Sequence, residues 1–233
     1  MTPEVIHTTS FVDDAVRLIL DSARDAIAQR GIFRVSLSGG RTPAPVYQAW
    51  AAAGADLPWD RVQVTFGDER CVPPDDEQSN YLMARRSLLD IVPIPPGNVF
   101  RIQGELPPEE AAANYEALLA PLAARFGEAR YRHDLLLLGM GPDGHTASLF
   151  PGTPALAEKT RNVVPNFVPK FDAFRVTFTY PLINAARHVC FLLEGADKKS
   201  VVEEILAGGS DYPSAHVSPV DGRLTWLLGW PAH

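Results

Sequence analysis

The chain has 233 residues and a formal net charge of −7, with a sequence pI near 5.3. That size suits one α/β domain, and the acidic balance gives no support for sequence-independent nucleic-acid binding. Two cysteines, Cys71 and Cys190, are too few for a disulfide scaffold and lack metal-ligand spacing, so a reduced cytoplasmic protein is expected.

In chain order, residues 1–14 hold no basic segment followed by an apolar run, so no signal peptide is expected. No stretch reaches the ~18–20 apolar residues of a membrane helix. Apolar residues at helical spacing (Val16, Ile19, Leu20, Ala23, Ile27) predict a helix over 13–29, stopped by Gly31. A strand is expected over 33–37, and a helix over 43–53 just after a glycine-rich turn. Residues 62–66 read as a second strand, followed by an acidic loop and a helix over 79–89. A short strand over 99–102 precedes a helix over 108–126, with Leu118, Leu119 and Leu122 on one stripe. Leu135, Leu136, Leu137 and Leu138 read as a strand buried on both faces, central in a parallel sheet. Strands are expected over 174–179, 189–193 and 224–228. Helices are expected over 181–186 and 197–206, the latter stopping at Gly208-Gly209. This alternation predicts a single doubly wound α/β domain over 1–233, its mainly parallel sheet flanked by helices, with room for a small extra lobe.

Between the strand over 33–37 and the next helix lies Ser38-Gly39-Gly40-Arg41-Thr42-Pro43. Its hydroxyls, its glycines and the positive end of the helix make an anion site, although an ordinary strand–turn–helix connection uses the same residues. The Gly-x-x-x-x-Gly-Lys-Ser/Thr pattern is absent, so nucleotide hydrolysis gains no support. Gly139, Gly141 and Gly144 match a dinucleotide fingerprint. However, Pro151 and Pro154 interrupt the helix it requires, and no strand ending in Asp or Glu follows near residue 160, so nicotinamide binding is not expected.

At the end of the four-leucine strand stand Asp143 and His145, and ligands in such sheets bind beyond the carboxyl ends of the strands. An imidazole there is a candidate for proton transfer near neutral pH. Asp68, Glu69 and Arg70 lie at the same edge, either as a salt bridge orienting a loop or with Arg70 facing the ligand. Lys198 follows another strand and Arg175 opens one; cations converging on one edge suit a phosphate. His7, His133, His188, His216 and His233 have no motif around them, and without a His-x-x-x-His pairing no metal is expected. Ser38 and Ser148 lack a nucleophile-elbow context, so a covalent acyl-enzyme is not expected.

Three segments together resemble the 6-phosphogluconolactonase family. They are Ser38-Gly39-Gly40-Arg41-Thr42-Pro43; Asp68-Glu69-Arg70 with Val72-Pro73 and Ser79-Asn80-Tyr81; and the run from Gly139-Met140-Gly141-Pro142-Asp143-Gly144-His145 to Pro151. Asn98-Val99, Arg175-Val176-Thr177 and Gly195-Ala196-Asp197-Lys198 agree with it. The resemblance implies a sugar-phosphate isomerase-like fold, no cofactor, and hydrolysis of 6-phospho-D-glucono-1,5-lactone in the pentose phosphate pathway. On that basis His145 activates water at the lactone carbonyl and Asp143 orients the loop or the imidazole. Glycine N–H groups of Gly39–Gly40 or Gly141–Gly144 meet the oxyanion. Arg70 and Lys198, with Ser38, Thr42 and the intervening Gly39, Gly40 and Arg41, hold the phosphate. Arg175 assists at the phosphate or the sugar hydroxyls, while Asp68 and Glu69 orient their loop. One departure is Gly229, where the family commonly has Asp. Glucosamine-6-phosphate deaminases share the Asp-Gly-His turn but continue it with Phe-Asn-Glu, where this chain reads Ala147-Ser148-Leu149. A non-catalytic sugar-phosphate sensor would have no need of His145.

Overall fold

The structure is a computed structural model that describes residues 2–208 and 210–232. Gly209 of the expected helix stop and His233 lie outside the described residues. The strands in chain order are β1 (Glu4–His7), β2 (Phe33–Leu37), β3 (Val62–Phe66), β4 (Asp68–Arg70), β5 (Leu135–Leu138), β6 (Val163–Val168), β7 (Ala173–Phe178), β8 (His188–Leu193) and β9 (Arg223–Leu228). The helices are α1 (Phe11–Arg30), α2 (Pro43–Ala53), α3 (Asn80–Ala84), α4 (Pro108–Ala124), α5 (Tyr180–Ile183) and α6 (Lys199–Ala207).

Six strands pair in the order β1-β9-β8-β5-β2-β3, every pairing parallel. The four leucines of β5 are at most 1% exposed, as a strand covered on both faces requires. α1 packs on α2 and β2, and α4 packs on β6 and β7. From β2 the chain runs through α2 to β3 on one side, then returns to β5 on the other. The strand order therefore reverses between β2 and β5, where diverging connections open a crevice at the carboxyl ends. The small lobe is a three-stranded antiparallel sheet, β4-β7-β6. Buried apolar residues from Phe11 to Trp230 form one cluster. Among the described residues no helix is long and apolar enough to cross a membrane.

The structure adds strands the sequence did not announce and alters other expectations. β1 carries no apolar alternation because it is an edge strand whose side chains are largely exposed. β4 lies within the segment expected as an acidic loop; its three charged residues are held by pairing with β7. β6 contains Pro165, which argues against a strand, yet β6 is the edge of its sheet, where a missing N–H is tolerated. The strand expected over 99–102 is a single parallel bridge between Val64 and Val99. Phe100 donates to the Val64 carbonyl (2.8 Å). Where the next ladder bond would form, the Tyr115 hydroxyl intervenes, accepting from Phe66 N–H (3.0 Å) and donating to the Phe100 carbonyl (2.8 Å).

The helix expected over 79–89 begins on Ser79, whose hydroxyl accepts from Leu82 N–H, and changes to a π-turn over Arg85–Leu89. α6 starts later than expected, after a single 3-10 turn at Ala196–Lys198.

Candidate active site

A cavity of about 670 Å³ opens at the strand-order reversal, bounded by the connections that follow β2, β3, β5 and β8. After β2 the chain turns at Ser38 into α2. A Cβ on Gly39 would lie 1.8 Å from Oδ1 of Asn80, so only glycine fits that approach. Gly40 adopts φ +108°, a left-handed backbone that L side chains rarely take. The Tyr47 hydroxyl accepts from Ser38 N–H (2.9 Å) and donates to the Ser38 carbonyl (3.0 Å), pinning the turn to its helix. Pro43 and Pro45 remove two donors from the first turn of α2. An anion here therefore meets mainly the N–H groups of the turn itself. Ser38 Oγ is buried with no hydrogen-bond partner among the described residues, and Arg41 and Thr42 line the cavity beside it.

After β5, Gly144 N–H bonds the Gly141 carbonyl and Gly141 N–H bonds the His145 carbonyl, each at 3.0 Å. The glycines thus build a tight turn that presents His145, rather than opening a dinucleotide helix. Both N–H groups are consumed, which removes Gly141 and Gly144 from the oxyanion donors expected above. His145 Nδ1 lies 2.5 Å from Asp143 Oδ1, and its ring stacks on Phe150 at 3.9 Å and 20°. Burial raises the Asp143 carboxyl, but hydrogen bonds from Lys170 (2.9 Å) and His145 outweigh it and hold the group down at about 2. An ionised carboxylate at Nδ1 makes that nitrogen the donor and leaves Nε2 as the base. Nε2 makes no hydrogen bond among the described residues, and His145 lines the cavity.

From β4, Asp68 accepts from Ser148 Oγ (2.7 Å) and Asn80 Nδ2 (3.2 Å), tying the His145 loop to α3. Ser148 is 2% exposed and its hydroxyl is engaged, which suits a strut rather than a nucleophile. Alternation along β4 sends Glu69 to the other face. There its carboxylate accepts from the N–H groups of Arg70, Asn80 and Tyr81 and from Ser79 Oγ. Burial pushes the Glu69 carboxyl up, and those N–H groups oppose the shift. Glu69 therefore orients its loop through backbone donors, and the expected salt bridge to the Arg70 side chain is not formed. Arg70 lines the cavity and donates to the Gln78 carbonyl (2.5 Å).

Lys198 lines the cavity after β8, donating to the Glu194 carbonyl (3.1 Å), with Glu194 and Asp197 nearby on the wall. A side chain on Gly229 would begin 3.1 Å from both Glu194 Cγ and Phe11 Cδ2, so the glycine leaves Glu194 its place. Arg175 was expected at the phosphate or the sugar hydroxyls. It sits opposite Arg70 in the β4–β7 register, but its guanidinium is drawn 5.6 Å over the Phe171 ring and does not line this cavity.

Three contributors were not assigned roles from the sequence. Asn80 stands inside the Ser79-Asn80-Tyr81 motif, which was a usable signal. Glu194 and Lys170 carried none, because only tertiary pairing brings them to the site.

A parallel α/β sheet that places an Asp–His pair and an anion-ready turn on one crevice is laid out as an enzyme for a phosphorylated small molecule. Residues 7–226 match the family described as glucosamine-6-phosphate isomerases/6-phosphogluconolactonase, and the chain belongs to it. A 6-phosphogluconolactonase from a Nostoc species is 42% identical over 232 residues, covering 97% of this chain and 95% of the relative. The 6-phosphogluconolactonase of Homo sapiens is 42% identical over 209 residues, covering 88% and 78%. The crystal structure of 6-phosphogluconolactonase from Thermotoga maritima superposes with a TM-score of 0.85 at 30% identity, covering 97% of this chain and 100% of that one.

Proposed function

We propose that the protein hydrolyses 6-phospho-D-glucono-1,5-lactone to 6-phospho-D-gluconate, the lactonase step of the oxidative pentose phosphate pathway, in the cytoplasm. The observation that carries this reading is the shared cavity: His145, oriented by Asp143, lines the same space as Arg41, Arg70 and Lys198. The curated relatives bearing the lactonase name support the substrate.

The cations and the Ser38 and Thr42 hydroxyls hold the phosphate dianion, and His145 Nε2 takes a proton from water as its oxygen bonds to C1. The carbonyl electrons move onto oxygen, and the C1–ring oxygen bond then breaks as they return. The imidazolium gives its proton to the departing ring oxygen. Of the glycine donors considered, Gly39 and Gly40 N–H have no partner among the described residues and can meet an anionic oxygen of the substrate. The resulting acid ionises and releases one proton.

The test is proton release from freshly made lactone in weak buffer, measured against the spontaneous rate. Acceleration at catalytic enzyme concentration is the expected result. No acceleration overturns the reading, and ammonia release from glucosamine 6-phosphate would assign the deaminase activity instead.

A further inference from the structure

We propose that Lys170, on the turn between β6 and β7, is a positioning residue that sets the orientation and charge of the Asp143–His145 pair. The proposal rests on the catalytic role given to His145 above. Asp143 has two oxygens and both are committed: Oδ1 to His145 Nδ1, and Oδ2 to Lys170 Nζ at 2.9 Å. A carboxylate held at one oxygen can pivot; held at both, it fixes the plane of the bond to the imidazole.

The same turn reaches the imidazole by a second route. Phe171 meets Phe150 edge-on (5.7 Å, 83°), and Phe150 stacks flat on His145. The turn itself is closed by Asp172 N–H bonding the Pro169 carbonyl, and Arg175 covers Phe171 from β7. The second sheet thereby delivers one ion pair and one aromatic contact to the two partners of a single ring.

Other charged and titratable groups surround the pair. Asp68 stands behind Ser148, and Tyr212 packs beside Gly144 while bonded to Glu204 of α6. Arg41, Arg70, Lys198, Glu194 and Asp197 share the cavity. Among the described residues only Lys170 and His145 bond the Asp143 carboxylate through side chains. The Lys170 side chain is 53% exposed, so its ion pair contributes little to folding and its loss can be read through function.

The experiment compares wild type with Lys170→Met and Lys170→Arg by lactone turnover across pH, thermal melting, and ¹⁵N spectra of the His145 ring. Removing the ammonium leaves the Asp143 charge uncompensated, which favours the imidazolium. The acid limb of the Lys170→Met rate profile should therefore move up by roughly half a pH unit. Its kcat should fall roughly three- to tenfold with KM within twofold, because orientation is lost while the phosphate cations remain. In the spectra, the ring should protonate at a correspondingly higher pH, and the Nδ1–H signal should broaden as the carboxylate, held at one oxygen only, pivots. Lys170→Arg should restore all three. A wild-type profile and spectrum in Lys170→Met overturns the proposal. So does a fall in kcat with an unmoved acid limb and no rescue by arginine. If the wild type itself shows no lactone hydrolysis, the functional reading fails, and the spectral comparison still decides the positioning role.

Discussion

Gly141→Ala isolates the geometry of the imidazole from its chemistry. A Cβ at this position lies 2.1 Å from Cε1 and 2.2 Å from Nδ1 of His145. Ordinary contact begins near 3.4 Å, so the ring must retreat by about 1.3 Å. That movement breaks the 2.5 Å bond to Asp143 and slides the ring off Phe150. A misplacement of about 1 Å at a reacting group costs on the order of 10²-fold in rate. Gly141 is outside the left-handed region, so alanine is compatible with its backbone. The His145 side chain is 24% exposed and can swing outward. Stability should therefore change little, with roughly 0.4–1 kcal/mol regained from the stiffer unfolded chain. The expected result is a kcat near 1% of wild type, KM within about threefold, and a nearly unchanged melting temperature. Wild-type turnover in Gly141→Ala would refute the placement of His145 as the base.

His145→Ala should lower kcat by roughly 10²–10⁴-fold with little change in KM. Arg70→Ala should chiefly raise KM for the lactone, and a pure kcat effect would move this arginine to the reacting carbonyl. Stability should also depend on pH through the buried His133, which burial, aided by the Arg34 charge, holds down at about 3. The unfolded histidine titrates near 6.5, so its contribution is complete above that pH and is lost as pH falls toward 3. Urea unfolding at pH 6.5 and 4.5 should differ by about 2–3 kcal/mol from this group, with His188, lowered by burial and Arg223 to about 4, acting in the same direction. Equal stability at the two pH values, or an unchanged difference in His133→Gln, would contradict this account.

Much of the fold was legible before any coordinates. β2, α2, β3 and β5 begin and end where periodicity and glycine stops placed them, because local sterics and a buried apolar run decide those boundaries. The Ser38 turn and the Asp143–His145 turn were legible for the same reason: glycines at strand ends announce tight backbone there. Gly139, Gly141 and Gly144 are followed by no long helix, as Pro151 and Pro154 led one to expect. Three of the four edge strands were not legible. Glu4–His7, Asp68–Arg70 and Val163–Val168 have no apolar alternation or carry a proline; the first two are held by partners far along the chain, and the third by the other arm of its own hairpin.

The chain's own order of residues thus determined which groups can do chemistry and which short turns carry them. Tertiary structure decided which of those groups meet. Arg70 and Arg175 look equivalent as residues at strand ends, and the β4–β7 register sets them side by side on one face, yet Arg70 extends to the cavity wall while Arg175 lies over Phe171. Lys170 is unremarkable in its local surroundings and becomes the partner of Asp143 because an antiparallel hairpin carries it there. Periodicity and turn preference act over a few residues, whereas register between distant strands is set by burial and backbone pairing across the whole molecule.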